Sequence, residues 1–359
     1  MKLVKIFLFL FLLILLSCLD TQNQSTAQNG ENPKSDQDLF PNYSYDSDHI
    51  YPPDSLMVPE DGIGLPNGDI LVSHYENGLE LIRKDGTHRP FGNFEKVGYI
   101  DGGATGVFLE NDNKHVLVSC IYSGELFRVN TETEKVELIY NHPYGINNIY
   151  RDRQGVIWIS QSANNGAGSS QALDKAFYYS TPSGAIYKLD SGTDGKEKEA
   201  RLMADSLYFA NGITMDEEEE HLLVSEYRMD RITSFKVDRE QDKLVEKKPY
   251  AYILTPDNLE RDKNGHIWVA SILQNKILAV DKRDKTVHTV FKAPGDINDH
   301  MQMKWTENNH QGKSVGDAYH PDMFKPLPGP ITGVFWSHDG KQVYLTGLGS
   351  HLLKYDYPQ

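Results

Sequence analysis

The chain has 359 residues, with 36 Lys or Arg against 51 Asp or Glu, for a formal charge of −15. So acidic a chain lacks the basic footprint that a phosphate backbone requires, which excludes nucleic acid as the expected partner and leaves solubility and cation binding open. Two cysteines, Cys18 and Cys120, are too few for a disulfide framework, and Cys120, closing an apolar run, reads as a buried inert thiol.

The first stretch, MKLVKIFLFLFLLILLSC, joins two lysines to an apolar run and a small residue, the pattern of a secretory leader too short to span a bilayer. Its close, Leu15-Leu16-Ser17-Cys18, resembles the bacterial lipobox. That implies a signal peptide over 1–17 and an acylated Cys18, hence an exported lipoprotein anchored at a periplasmic or cell-surface membrane face by lipid only. Residues 18–48 are rich in Gln, Asn, Ser and Asp, have little to bury, and read as a disordered tether.

From residue 49 onward one pattern recurs. In TPDNLERDKNGHIWVAS (255–271) the polar pair Asp257-Asn258 precedes a tight turn at Gly265 and then an apolar strand. Eight residues separate Asp257 from its turn anchor, and the same spacing links Glu60 to Gly68, Thr105 to Asn113, Asn147 to Gly155, Asn211 to Glu219 and Thr332 to Gly340. Successive anchors lie 45, 42, 64, 46 and 75 residues apart. Three of these gaps match a propeller blade of about 40–50 residues, and the other two are a blade plus an insertion.

The pattern predicts an all-β, six-bladed β-propeller over 49–359, closed on itself and monomeric. The first strand of each blade lines the axis, so the equivalent residues converge there. Glu60, Asn147, Asn211 and Asp257 then form an oxygen-only set, the donor chemistry of a hard cation and above all of Ca²⁺. Only three strands are evident in the last blade, so a segment near 50–58 is expected to supply the fourth.

The insertions carry the remaining signals. QSANNGAGSSQALDKAFYYSTPS (161–183) predicts a loop with a short helix that walls the site. The acidic run Glu217–Glu220 reads as a solvated hairpin tip and Glu226 as structural. The stretch between Lys292 and Ile331 reads as a lid over the channel mouth. Its His300, His310 and His320 are spaced too widely, with no Cys, for a zinc site. His320 remains a candidate base.

FANGITMDEEEEHLLVSEYRMDRI (209–232) and PDNLERDKNGHIWVAS (256–271) resemble the calcium-dependent six-bladed propellers. That group includes the senescence-marker-protein/gluconolactonase lactonases, paraoxonase/arylesterase and the strictosidine synthase-like proteins. The resemblance implies that Asn258 joins Glu60, Asn147, Asn211 and Asp257 around one catalytic Ca²⁺. Neighbours on a regular strand face opposite ways, so Asp257 and Asn258 can share an ion only if the backbone bends between them.

The resemblance also implies a second, structural calcium at Asp61 and Asn148, weakened because Asn148 stands where the family has Asp. The implied activity is hydrolysis of a small lactone or ester, with the ion polarising the carbonyl and Glu60, Asp257 or His320 acting as base. This chain departs from paraoxonase at Thr105, where that enzyme carries a histidine of its proposed base. A strictosidine synthase-like condensation would need an acid beside Gly333, and none stands there. The alternative from another class is a calcium-stabilised lipoprotein propeller that binds a ligand or partner without turnover. An ion site open to a cavity would favour catalysis, whereas a sealed one would favour a structural role.

Overall fold

The structure, a computed structural model, describes residues 40–99, 103–166, 170–190, 199–295 and 297–358. The expected signal peptide, Cys18 and most of the tether lie outside the described residues. Six sheets follow one another along the chain, each with four antiparallel strands and one of them with a fifth. Their first strands are Gly62–Gly64, Ala104–Leu109, Asn148–Arg151, Ala210–Met215, Pro256–Arg261 and Ile331–Trp336. Each packs beside the next around a common axis, and the sixth returns to the first, which makes a six-bladed β-propeller.

The six anchors of the sequence pattern hold equivalent turns. Gly68, Asn113, Gly155, Glu219, Gly265 and Gly340 all have positive φ, between 56° and 87°. Each donates its N–H to the carbonyl three residues back, so one hairpin geometry links the two inner strands of every blade. Glycine meets the left-handed requirement at four of these turns without a Cβ clash, and Asn113 and Glu219 accept it.

Burial follows the same period. Six apolar clusters lie between successive blades, as where Trp158 and Ile186 of the third blade meet Ile213, Val224 and Phe235 of the fourth. A blade alone has no covered core, so the ring is stable only when closed. Ile50–Tyr51 closes it by pairing antiparallel with Leu352–Asp356, the fourth strand expected from this region.

Two expectations need correction. The tether does not run to residue 48: Tyr43–Ser44 pairs parallel with Val287–Lys292 as a fifth strand of blade five. Phe40 stacks on His288 and Tyr43 on Tyr355, each at 4.6 Å. Three aromatic residues, Phe40, Tyr43 and Tyr45, give this polar segment something to bury. The acidic tip is also only partly solvated. Glu219 is buried between blades three and four, where it accepts from Tyr150 Oη at 3.1 Å and Arg153 N at 3.0 Å. Its place at the tip puts it against the neighbouring blade.

The insertions rise at one end of the ring. Helix α1, Ser170–Tyr178, forms within the first, where a helix was expected. Helix α2, Ile297–His310, opens the second. Leu173 and Ala176 of α1 join Met301 and Trp305 of α2 and Phe209 and Tyr227 of blade four in a seventh apolar cluster. Among the described residues no helix is long and apolar enough to cross a membrane.

Candidate functional site

All six residues of the pattern face one cavity. Glu60, Thr105, Asn147, Asn211, Asp257 and Thr332 line a space of about 390 Å³ at the lid end of the axis. The ladder between the first two strands slips at Ala104/Val107, Ala210/Ile213, Pro256/Leu259 and Ile331/Gly333. These irregularities bend the strands at the residues in question, as the Asp257-Asn258 pair required. A serine at or one residue before the end of the second strand takes up backbone groups at this level. Ser73 Oγ accepts from Glu60 N and Asp61 N, Ser119 Oγ from Gly106 N, and Ser160 Oγ from Asn148 N. Sequence reading passed over this serine, although five of the six copies end in one.

Odd and even blades divide the work. The even blades supply hydroxyls that tie the odd ones: Thr105 Oγ1 donates to Asn147 O at 2.6 Å, Ser225 Oγ to Asp257 O at 2.6 Å, and Thr332 Oγ1 to Glu60 O at 2.8 Å. One residue further along, the odd blades carry Asp61, Asn148 and Asn258, while the even blades carry Gly106, Gly212 and Gly333. A Cβ on Gly212 would lie 2.6 Å from Asn258 Cα, and one on Gly106 would lie 3.0 Å from Asn148 Cα. The glycines therefore let three polar side chains fill the axis below the cavity.

The two layers are wired together. Asn211 Nδ2 donates to Asp257 Oδ1, and Asn147 Nδ2 donates to Ser162 Oγ at 2.8 Å. Asn258 Nδ2 donates to Glu60 Oε1 at 2.9 Å, while Asn258 Oδ1 accepts from Asn148 Nδ2 at 3.1 Å. Asn258, expected as a fifth ligand, thus turns its nitrogen toward Glu60 and links the layers. Asp61 accepts from Val107 N at 2.9 Å and Gly62 N at 2.8 Å. It lines a small lower space of about 20 Å³ with Asn148, Asn258 and Glu260.

Buried carboxylates crowd this axis. Burial pushes Glu60 well above the ordinary carboxylate range, Asp257 and Asp61 add to the rise, and the Asn258 amide opposes it. Asp257 is raised by burial and by Asp61 against the Asn211 donor. Asp61 is pushed up to about 7 by burial, against its backbone donors and Asn148. Two buried oxygens, Glu60 Oε2 and Asn211 Oδ1, have no hydrogen-bond partner. Orphaned oxygens beside two mutually repelling carboxylates are what a hard cation would satisfy, so the residues fit calcium.

Other candidates separate from this centre. His320 is exposed and uses Nδ1 to accept from Asp322 N at 3.1 Å, which caps a short turn on the lid surface. It does not line the cavity; its neighbour Tyr319 points inward instead. His300 and His310 are exposed as well. Glu226 is structural, binding Arg231 Nη2 at 2.7 Å and Thr233 Oγ1 at 2.5 Å. Glu110, Asp112 and His115 converge on the blade-two turn, but Arg128 and Arg151 hold Glu110 and His115 is bonded to Asp112, so their donors are already taken. Cys120 is buried, and burial raises its thiol far above the range of a reactive one.

Above the floor the wall is apolar, with Leu173 and Phe177 of α1, Phe209 and Ile272, and Asp174 at the rim. Tyr227 completes it, and its hydroxyl meets that of Tyr319 from the lid. Neither tyrosine was singled out from the sequence. They lie 92 residues apart, and only the folded lid joins them.

A closed six-bladed ring around an oxygen-lined axial site defines the class of protein. The family model described as the SMP-30/gluconolactonase/LRE-like region matches residues 84–298, and the chain belongs to this family. Among curated proteins it is similar to strictosidine synthase-like 7 of Arabidopsis thaliana, 25% identical over 160 residues, which cover 43% of this chain and 40% of the relative. Strictosidine synthase-like 4 of the same plant is 30% identical over 96 residues, 27% of this chain and 24% of that one. The chain therefore spans less than half the length of these relatives.

Among solved structures, a gluconolactonase from Xanthomonas campestris superposes with a TM-score of 0.60 at 16% identity, over 85% of this chain and 88% of its own. A calcium-binding regucalcin from Agrobacterium tumefaciens gives 0.57 at 13% identity, over 88% and 95%. At such identities the likeness is one of fold.

Proposed function

We propose that the protein is a calcium-dependent hydrolase of a lactone or ester. One observation carries this reading: the two unpartnered oxygens and both carboxylates of the axial site face a 390 Å³ cavity. A metal held only to brace the ring would be sealed by side chains, whereas this site has room above it for a small substrate. Glu60, Asn147, Asn211 and Asp257 would hold the ion, and rotation of the Asn258 carboxamide would add a fifth oxygen. The chemistry calcium supplies there is Lewis-acid polarisation of an acyl carbonyl.

The remaining roles belong to the chain. Leu173, Phe177, Phe209 and Ile272 exclude bulk water and hold the apolar part of the substrate. With Oε2 given to the ion and the Asn258 nitrogen rotated away, Glu60 Oε1 is left to take a proton from the attacking water. Thr105 keeps Asn147 in place and carries no proton role. A second, weaker calcium at Asp61 and Asn148, and anchoring through an acylated Cys18, belong to the same proposal. The mass of the mature N-terminal peptide tests the anchoring.

The deciding experiment is turnover of a panel of aryl esters and lactones with calcium, after chelation, and in Asp257→Ala and Asn211→Ala. The expected result is loss of at least about a hundredfold in kcat/KM on chelation and in each variant, with the fold intact. Tight calcium binding with no turnover of any substrate would replace this reading with that of a binding propeller.

A further inference from the structure

Tyr227 is fully buried on a short turn, Tyr227–Met229, that follows the second strand of blade four. Arg228 comes next and is also fully buried, yet none of its Nε, Nη1 and Nη2 has a hydrogen-bond partner. The indole of Trp305 covers the guanidinium at 4.4 Å from the ring centroid. Asp230, the nearby acid, spends its oxygens on Thr255 N at 2.9 Å and Trp305 Nε1 at 3.2 Å. A guanidinium stays charged at physiological pH, and burying one with none of its nitrogens hydrogen-bonded is a large cost, which the Asp230 charge nearby relieves without bonding it and an incoming anion would offset further. Trp305, which covers Arg228, also packs against Tyr227 at 5.7 Å and Tyr319 at 6.0 Å, so the guanidinium and the two tyrosines share one cluster.

We propose that the Tyr227 and Tyr319 hydroxyls, with the Arg228 charge behind them, form an anion subsite at the lid end of the cavity that takes a carboxylate carried by the substrate. The ligand's body is apolar, because Phe177 stacks on Tyr227 at 5.2 Å and Phe209 lies 5.6 Å from it. The phenol O–H not spent on the Tyr227–Tyr319 bond, backed by a buried guanidinium, makes a charge-assisted bond to a carboxylate that a neutral amide cannot replace. The two tyrosines touch the ligand, and Arg228 is a positioning residue that acts through them. The word substrate rests on the hydrolase reading; the subsite does not.

The test is calorimetric binding of benzoate and of its neutral isostere benzamide to the calcium-loaded protein. Neither probe is an ester or lactone, so the result stands even if no turnover is ever found. Benzoate is expected to bind roughly tenfold tighter or more than benzamide. Arg228→Met should bring the two near parity, Arg228→Lys should keep part of the preference, and Tyr319→Phe should reduce it severalfold. Equal affinities in the unaltered protein overturn the proposal. So does a preference that survives Arg228→Met and vanishes on chelation, since that assigns the carboxylate to the axial ion. If Arg228→Met does not fold, Tyr319→Phe decides: a reduced preference supports the subsite and an unchanged one overturns it.

Discussion

The floor and the lid of the cavity place polar groups on the same space in different ways. On the floor, one position is used six times. A turn of one geometry in every blade, with a register slip at the start of the first strand in four of them, brings Glu60, Thr105, Asn147, Asn211, Asp257 and Thr332 to the axis. At the lid nothing repeats. Tyr319, Trp305 and Phe177 come from three separate segments and meet through one aromatic cluster. The floor is therefore inseparable from closure of the ring, while the lid rests on local contacts and can change without it. That difference allows the two regions to be broken separately.

Removing calcium should act on the floor and have the largest effect. Burial pushes Asp61 up to about 7, from an ordinary 3.8. An acid whose folded pKa is raised binds more protons in the folded state, so stability falls as pH rises from its unfolded value to its folded one. Glu60 and Asp257 act in the same direction. The chelated protein should therefore lose Tm steadily between about pH 4 and pH 7, and saturating calcium should remove the decline. A chelated protein whose Tm stays flat or rises over this range would show that the axial acids are already compensated.

The next effect is on the lid. Trp305 is fully buried, bonded to Asp230 and packed on Arg228. Trp305→Ala should cost about 3–5 kcal/mol locally. Limited proteolysis should then cut within 297–324 many times faster, with calcium affinity changed no more than a few-fold. Loss of calcium binding in this variant would mean that floor and lid form one cooperative unit.

A smaller change returns to the floor. A Cβ on Gly212 would lie 2.4 Å from Leu259 N and 2.6 Å from Asp257 O. Gly212→Ala should lower global stability by about 1–3 kcal/mol in urea unfolding and weaken calcium binding, without making the lid more cleavable. An effect confined to the lid would mean that Gly212 serves the lid rather than the floor.

The same division decides what could be read from the sequence. Floor residues are legible because each sits eight residues before a turn anchor, and a hairpin of fixed geometry keeps that spacing in every blade. The odd and even roles of Asp61, Asn148 and Asn258 against Gly106, Gly212 and Gly333 are written in the same register, but only the packed axis gives them meaning. The bonds of Asn258 escape such reading, since one strand says nothing about which end of a carboxamide meets Glu60. Lid contacts are illegible for a different reason. Tyr227 and Tyr319 meet through a path with no repeat, and an unpartnered Arg228 looks like any surface arginine until its burial is known. Phe40 and Tyr43 were within reach: aromatic residues in a polar segment were a sign that the tether ends before them.

His320 and Tyr319 bring that lesson to a single pair of neighbours. Residue type favours His320 as a base, since histidine titrates near neutrality. Geometry favours Tyr319, whose hydroxyl meets Tyr227 on the cavity wall while His320 caps a turn at the surface. His320→Gln removes the imidazole and keeps a polar side chain at an exposed site, so kcat/KM should stay within about twofold and Tm within a degree or two. The pH profile of turnover should likewise be unmoved. A loss of tenfold or more, or a missing limb in that profile, would mean that the lid turns over during the reaction and carries His320 into the cavity.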